Sequence, residues 1–465
     1  MTASVSLAGG FAAVAQADWR AAVSRSGQSL DHGLAATSDD GITVGPIYQR
    51  RVGVSPVAMR SPGQPWRIVQ RVSARTVTAA LSMCRGELAG GADGVALVFA
   101  DAIHPLPGGL PADMAAGIAA GLAPVLAEGS PLVIEAGART PGIAAAFVEV
   151  AAKRKVDLRL AFDPVAAVAT GHLPTPDTAA TAATLADLAE TFDGWGIAGT
   201  VVLADGRIWH AAGASEAQEL AAVLATVVAH LRLFERHGHP PDSAASRIGV
   251  ALAADTDQFL TIAKLRAMRL LLAYALEAAG TARTIPIHAE TAWRVMSRRE
   301  PRMNVLRATG AAFAAAVGGA DSITVLPFDA LDDGGSAPAR RLARNTQLVI
   351  AQESQLFRFA DPAAGSGAIE ALTDGLAEKA WDRFRAIEAA GGMLAALEAG
   401  TLLRDVAATR DARLARVLDG TVVMVGVNAF VATGDTPFAI ATERMDTAAG
   451  TLVFRRLAEA AEATP

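Results

Sequence analysis

The chain is poor in the residues that most often carry chemistry. Among 465 residues there is one cysteine, Cys84, and there are two tyrosines, Tyr48 and Tyr274. A single thiol cannot close an internal disulfide, which suits a reducing compartment. Cys84 falls in an apolar helical series with Val77, Ala80, Leu81 and Leu88, so a core thiol is expected, not a nucleophile. Tyr274 lies on a long apolar run and is expected in the core. Charged residues are 19%, below the usual quarter or so, and the net charge is -6. Nucleic acid would ask for a clustered basic surface. The densest basic run is Arg294, Arg298, Arg299, Arg302 and Arg307. It reads as a helix surface or a subunit contact, with an anionic group such as a nucleotide phosphate as the functional alternative.

No uncharged apolar run is long enough to span a bilayer. The longest, Met114 to Ala127, contains Gly and Pro. The first cation is Arg20, and Gly9 and Gly10 interrupt the apolar start, so no secretory signal is expected. The expected location is cytoplasmic. Phosphate loops are missing as well, because Gly90-Gly91 and Gly318-Gly319 each precede Ala-Asp and a strand and read as helix stops. His237 and His239 form an isolated pair in a Pro-rich turn, read as a solvated loop, and no metal-ligand set is expected. No serine sits in a G-x-S-x-G elbow.

What the chain does have is alternation. Short runs rich in Val, Ile and Leu stand at Trp66–Val72, Gly94–Phe99, Leu132–Glu135, Leu158–Phe162, Thr200–Leu203, Ile248–Leu252, Thr284–His288 and Ser322–Leu326. Their nearly continuous apolar character predicts strands buried on both faces. Between them lie Ala-rich runs with helical spacing: Thr76–Ala89, Ala112–Ala127, Pro141–Ala152, Ala179–Glu190, Ser215–Phe234, Asp257–Ala279 and Met303–Val317. Eight strand–helix units predict an α/β fold, a (β/α)8 TIM-type barrel over residues 62–355, with a doubly wound open sheet as the rival. Residues 1–61 read as an N-terminal arm that enters a helix near Asp18. Its turn signals are Asp39-Asp40-Gly41 and Ser61-Pro62-Gly63. Residues 356–465 read as a helical extension, Asp374 to about Leu414, then a strand-like run Thr421–Val427 and a helix-like Leu452–Ala463.

In such a barrel the chemistry sits at the C-terminal strand ends. Here those positions hold Asp101, Glu135, Asp163, Asp205, Asp255, His288 with Glu290, and Asp329. An acid just after a strand is often a helix cap or turn former, and no carboxylate pair stands out as an acid/base couple.

Several longer strings then appear in order: Ala263-Lys264-Leu265-Arg266-Ala267, Arg302-Met303-Asn304-Val305-Leu306-Arg307, the run 317–329 (VGGADSITVLPFD), 341–348 with R-x-A-R-N-T-Q-L, Asp361-Pro362, and 372–381. Upstream stand Trp19, Pro46-Ile47-Tyr48 and Pro65-Trp66-x-Ile68-x-Gln70. Downstream are Arg410-Asp411-Ala412-Arg413 and Gly426-Val427-Asn428. Together they resemble the methylmalonyl-CoA mutase family over roughly residues 10–460. The resemblance implies a barrel that holds CoA along its axis, a separate cobalamin module marked by D-x-H-x-x-G, and radical isomerisation of acyl-CoA esters on adenosylcobalamin.

The departures from the family pattern are specific. No D-x-H-x-x-G occurs; Asp31-His32-Gly33 and Asp101-x-x-His104 have the wrong spacing, and the chain stops about where the cobalamin module would begin. Arg71 stands where catalytic members carry Tyr. Their Tyr-His motif is reduced to Trp209-His210. Arg247 survives from an Arg-x-Ser-x-Phe strand, but Gly249 and Ala251 replace its hydroxyl and ring. His-x-Gln becomes His288-x-Glu290, and an ionised Glu cannot donate to an acyl oxygen. Gly367 and Ala368 replace an aromatic pair. The resemblance therefore implies a catalytically silent small subunit that stabilises a catalytic large subunit in a heterodimer. Adenosylcobalamin is expected in that partner and no cofactor in this chain. The sites at Arg71, Trp209, His210, Arg247, Gly249, His288 and Glu290 are expected as vestiges, in an axis too blocked for CoA. The alternative is a substrate-binding barrel subunit of a split acyl-CoA mutase whose cobalamin domain is a separate chain. A piece of a longer small subunit is the third reading.

Overall fold

The computed structural model describes residues 12, 14–27, 34–57, 60, 63–174, 177–332, 334–431 and 450–462. Asp31-His32-Gly33, Gly9-Gly10 and Ser61-Pro62 lie outside them. Eight parallel strands form one sheet: β1 Arg67–Ser73, β2 Gly94–Val98, β3 Pro131–Glu135, β4 Asp157–Leu160, β5 Val202–Asp205, β6 Ile248–Ala254, β7 Ile287–Thr291 and β8 Ser322–Thr324. Their order is β4-β3-β2-β1-β8-β7-β6-β5. The two end strands meet through backbone bonds that are not a regular ladder, Leu160 N to Thr200 O at 2.8 Å and Leu203 N to Phe162 O at 2.9 Å. The sheet therefore closes on itself as an α/β barrel, not as an open doubly wound sheet.

Each strand is followed by a helix packed outside: α1 Val77–Ala89, α2 Ala115–Leu122, α3 Thr140–Arg154, α4 Thr178–Trp195, α5 Glu216–Glu235, α6 Gln258–Ala278, α7 Met303–Val317 and α8 Ala337–Leu348. The starts are chemically marked. Thr76, Asp177, Ser215, Asp257 and Ser336 each accept a backbone N–H of the first turn. Asp163 and Asp205 cap short helical turns in the same way. Helix α5 is long and apolar enough to cross a membrane, yet it is packed inside this fold. It is buried on nearly all sides because a further helix, α9 Gly367–Ala389, covers the face that α6 leaves open. Cys84 is buried, and burial pushes its thiol up to about 12.

The helical extension continues with α10 Met393–Glu398 and α11 Thr401–Leu418, interrupted at Gly392 and Gly400, both at positive φ. Residues 34–57 run back over the barrel. Asp40 ties them to α5: Ser215 Oγ donates to its Oδ1 at 2.5 Å and Ala217 N to its Oδ2 at 3.0 Å. Asp39 accepts from Arg413 Nε at 2.8 Å and pairs with Arg416, joining the same segment to α11. Gly367 leaves no room for a side chain. A Cβ there would sit 1.9 Å from Gln49 O, so the segment lies flush on the start of α9.

Four expectations are corrected. Tyr274 is 62% exposed and packs edge-on against Trp381, because α6 turns that face outward beside α9. Thr421–Val427 is a looped turn held by the Asn428 side chain, which bonds Met424 N, Val417 O and Val422 O. Leu452–Ala463 is helical only at Glu459–Glu462 among the described residues. Three members of the basic run serve this chain's own packing, while Arg302 is exposed at the start of α7 as a helix surface would have it. Arg294 is buried, and Arg299 and Arg307 donate to Val427 O and Val425 O at 3.2 and 2.6 Å.

Replacing Asp40 with Ala should cost about 1–2 kcal/mol, the usual price of a lost cap. It should also open residues 34–57 to limited proteolysis. Urea denaturation and timed trypsin digestion read both, and an unchanged digestion rate would show that Asp40 does not hold this segment.

Candidate functional site

Side chains alternate across a strand, so every second residue of a barrel strand faces the axis. That period puts Val69 and Arg71, Val133 and Glu135, Leu203 and Asp205, Gly249 and Ala251, and His288 and Glu290 on inward-facing series. At the C-terminal mouth, Arg71 and Arg207 meet Glu135, Asp205 and Glu290. Arg71 Nη1 lies 2.8 Å from Glu135 Oε2 and 3.0 Å from Glu290 Oε2. Arg207 Nη1 lies 2.9 Å from Glu135 Oε1 and 3.2 Å from Glu290 Oε2. Each guanidinium thus bridges both glutamates, closing a four-membered ring over the axis. Arg207 also grips Asp205 by two bonds, Nη2 to Oδ2 at 2.7 Å and Nε to Oδ1 at 2.9 Å.

These groups are all largely removed from water. Burial works against the Glu135 carboxylate, but Arg207 and Arg71 outweigh it and hold Glu135 well below the usual carboxylate range. Arg207 is correspondingly pushed up, against its own burial, by Asp205, Glu135 and Glu290. Beneath the ring, a cavity of about 40 Å³ remains, lined among others by Arg159, His288, Gly249 and Ala251. That is room for a few waters. His288 Nδ1 lies 2.9 Å from Ser322 Oγ. Burial, then Arg207, lowers its pKa to about 3, so the ring is neutral at physiological pH.

The remaining expected residues are dispersed. Trp209 is in the core. His210 lies in a second buried cluster, its Nε2 2.9 Å from Asp255 Oδ2. Arg294 Nη2 is 2.5 Å from the same oxygen and 3.7 Å from Glu216 Oε1. His210, Glu216 and Asp255 offer ligand atoms within 4.8 Å of one another. Arg294 already supplies the positive charge a cation would bring there, and it anchors itself to Ala214 O at 2.9 Å. The arrangement is that of an ion-pair joint between the ends of β5, β6 and β7. Arg247 sits at the opposite, N-terminal end of β6, bonded to Ile197 O at 3.0 Å, Gly199 O at 3.1 Å and to Asp193. It braces the β4–β5 seam and does not line the axial cavity. Gly249 does line it, and a Cβ there would meet Leu203 Cδ1 and Thr200 Oγ1 at 3.4 Å.

Arg207 and Glu135 carry the ring with Arg71 and Glu290, yet only Arg71 and Glu290 were expected. Glu135 reads in the sequence as a cap-forming acid, and its one available signal is charge at an inward-facing position on an otherwise apolar strand. Arg207 lies past the end of β5, in the helical turn Gly206–Ala211 that also carries Trp209 and His210, and has no such signal.

Arg207→Met should leave Asp205, Glu135 and Glu290 under-compensated and cost about 3–5 kcal/mol in urea denaturation. A loss under 1 kcal/mol would show that the ring is slack. A pH dependence follows from buried histidines held neutral. His210 is lowered by burial and Arg294, while His230 and His288 are each lowered to about 3. Unfolded histidine titrates near about 6.5. Below that, the unfolded state takes up protons the native state refuses, so stability is full above pH 6.5 and falls with acid. Asp163, pushed up to about 7 by burial, acts in the opposite sense and offsets one of the three. The net expectation is a loss of roughly 2–3 kcal/mol per pH unit between pH 6 and 5. Neither nitrogen of His230 has a hydrogen-bond partner. His230→Leu should therefore roughly halve that slope and raise stability at pH 5.5; an unchanged slope would contradict the assignment.

Known proteins bear on this geometry. The model of the family described as methylmalonyl-CoA mutase matches residues 174–463. A probable methylmalonyl-CoA mutase small subunit of Mycobacterium bovis is 47% identical over 202 residues, 42% of this chain and 33% of that protein. The methylmalonyl-CoA mutase small subunit of Streptomyces virginiae is 35% identical over 435 residues, 87% of this chain and 67% of that protein. The matches thus span from a third to two thirds of these relatives' length. Among solved structures, a dihydropteroate synthase of Coxiella burnetii covers 69% of this chain with 12% identity and a TM-score of 0.34, too loose a likeness to carry an argument. With a family match over more than half its length, and a relative of like name along most of it, the chain belongs to the methylmalonyl-CoA mutase family.

Proposed function

We propose that this chain is the non-catalytic small subunit of a heterodimeric, adenosylcobalamin-dependent methylmalonyl-CoA mutase, and that it stabilises the catalytic large subunit. The observation that carries the reading is the ring of Arg71, Glu135, Arg207 and Glu290 across the barrel mouth. Pockets for small molecules run about 300–1,000 Å³. The axial cavity is about 40 Å³, and the one above it, between Arg207, His210 and Trp293, about 20 Å³. An acyl-CoA chain would have to displace the ring and leave its charges without partners.

The same test bears on the cofactor. A corrin ring needs a broad open face and a cobalt ligand. His210 and His288 at the barrel core are engaged with Asp255 and Ser322, and the cavity at the mouth between Arg207, His210 and Trp293 measures about 20 Å³. The residues present do not fit the group. In this reading Arg71, Trp209, His210, Arg247, Gly249, His288 and Glu290 are vestigial. The arm of residues 1–61 reaches the partner chiefly through its first part: the helix Gln16–Arg25 buries none of its residues against this chain, whereas residues 34–57 are committed to the barrel.

The test is a mutase assay with methylmalonyl-CoA and adenosylcobalamin. This chain alone, or with an isolated cobalamin-binding protein, should give no turnover. Mixed with a catalytic chain it should co-elute and raise that chain's melting temperature, and Arg71→Ala in this chain should leave kcat unchanged. Turnover by this chain with only a cobalamin-binding protein would overturn the proposal and favour the split-mutase reading.

A further inference from the structure

A second kind of cavity lies among helices and not at the axis. It opens outside the barrel, between the C-terminal ends of α5, α6 and α9, and measures about 420 Å³. That is the size of a small-molecule site, ten times the axial cavity. Its walls include Trp381 and Phe384, whose rings lie 5.1 Å apart at 40°, and Tyr274 packs edge-on against the same Trp381 at 5.1 Å. At its polar side stand Arg232, Glu235, His239 and Glu388.

Three features favour negative potential at this cavity, against Arg232 and the N-terminus of the short helix Pro241–Ser246, which also border it. First, helix C-termini carry a partial negative charge. Three helices end at it: α5 at Glu235, α6 at Ala278 and α9 at Ala389, each within a residue or two of the lining. Neither α6 nor α9 has a basic residue in its last turn to offset that charge. Second, two carboxylates face one guanidinium. Arg232 Nη2 pairs with Glu388 Oε2 at 2.5 Å, which leaves Glu235 in excess, and Glu388 Oε1 has no hydrogen-bond partner. The Arg232 side chain is 54% exposed, so this bridge is a surface one that a ligand can rearrange. Third, aromatic faces attract cations. We infer that the cavity is a binding site for an amphipathic organic cation, its apolar body against Trp381 and Phe384 and its charged head toward Glu235 and Glu388. The inference does not depend on whether the chain is catalytic.

The test is calorimetric titration of the full chain with benzyltrimethylammonium, beside benzyl alcohol and benzoate as neutral and anionic counterparts of similar size. Saturable binding of the cation is expected, at least about tenfold tighter than the alcohol, with benzoate weakest. Trp381→Leu and Glu388→Gln should each weaken the cation about five- to tenfold with an unchanged melting curve. If either variant fails to fold, Glu235→Gln, at an exposed helix end, should still weaken the cation and spare the alcohol. Equal binding of benzoate and the cation, or no saturable heat from the cation at about ten times a millimolar Kd, would overturn the inference.

Discussion

A guanidinium taken out of water must find its counter-charge at the place where it is buried, because desolvating an ion costs several kcal/mol. This chain buries many. Arg71 and Arg207 are answered at the mouth by Glu135, Asp205 and Glu290. Arg266 is answered by Asp361 and Glu370, with Glu370 at 2.8 Å. Arg294 meets Asp255, Arg344 meets Glu87 at 2.6 Å, and Lys264 meets Glu219 at 2.7 Å. Apart from Arg207–Asp205, each pair joins elements distant in sequence, so the pairs dictate which helices and loops must meet. Arg266 brings α6 against α9, and that contact covers α5. Arg413 and Asp39 then bind the segment before the barrel to α11 beyond it.

The residues that carry the family resemblance sit at these joints. Trp66 donates to Gln347 Oε1 at 3.1 Å, and Gln347 Nε2 to Gln70 Oε1 at 3.3 Å, so the P-W-x-I-x-Q string and R-x-A-R-N-T-Q-L are two halves of one contact. Lys264 and Arg266 are the working ends of A-K-L-R-A. Asn304 holds Ser297 and Phe328 through its amide, and Asp321 holds Arg269 and Ile287 N. Arg71, Gly249 and Glu290 sit instead along the axis. A scaffold joint loses several kcal/mol when one buried partner is removed.

That division also explains what could be read from the sequence. Nearly continuous apolar runs located all eight strands, because burial on both faces leaves a strong pattern, and Ala-rich runs located seven of the helices that follow them but not α8. Boundaries moved by a few residues; β5 begins at Val202 and β7 at Ile287, since caps and loops, not apolarity, end a strand. Tyr274 was misplaced because an apolar run does not say which face a later helix will cover. Arg294 looked like surface because its partner, Asp255, is 39 residues away. The ring was half legible. Arg71 and Glu290 stood out against the family, but Glu135 and Arg207 become partners only when the barrel closes.

The ring also resists single substitutions. Suppose Glu290 became an amide. Arg71 and Arg207 would then face Glu135 and Asp205, two cations against two anions in place of three, and each Nη1 would lose its ion pair with Glu290. Suppose instead that Arg71 became a tyrosine. Glu135 and Glu290 would face each other with Arg207 alone between them, and burial would push against both carboxylates. Either single change removes buried contacts of the ring, and the two do not contribute independently, because both act through Arg207 and Glu135. A barrel mouth closed by interlocking ion pairs is therefore held closed by the same electrostatics that make it stable.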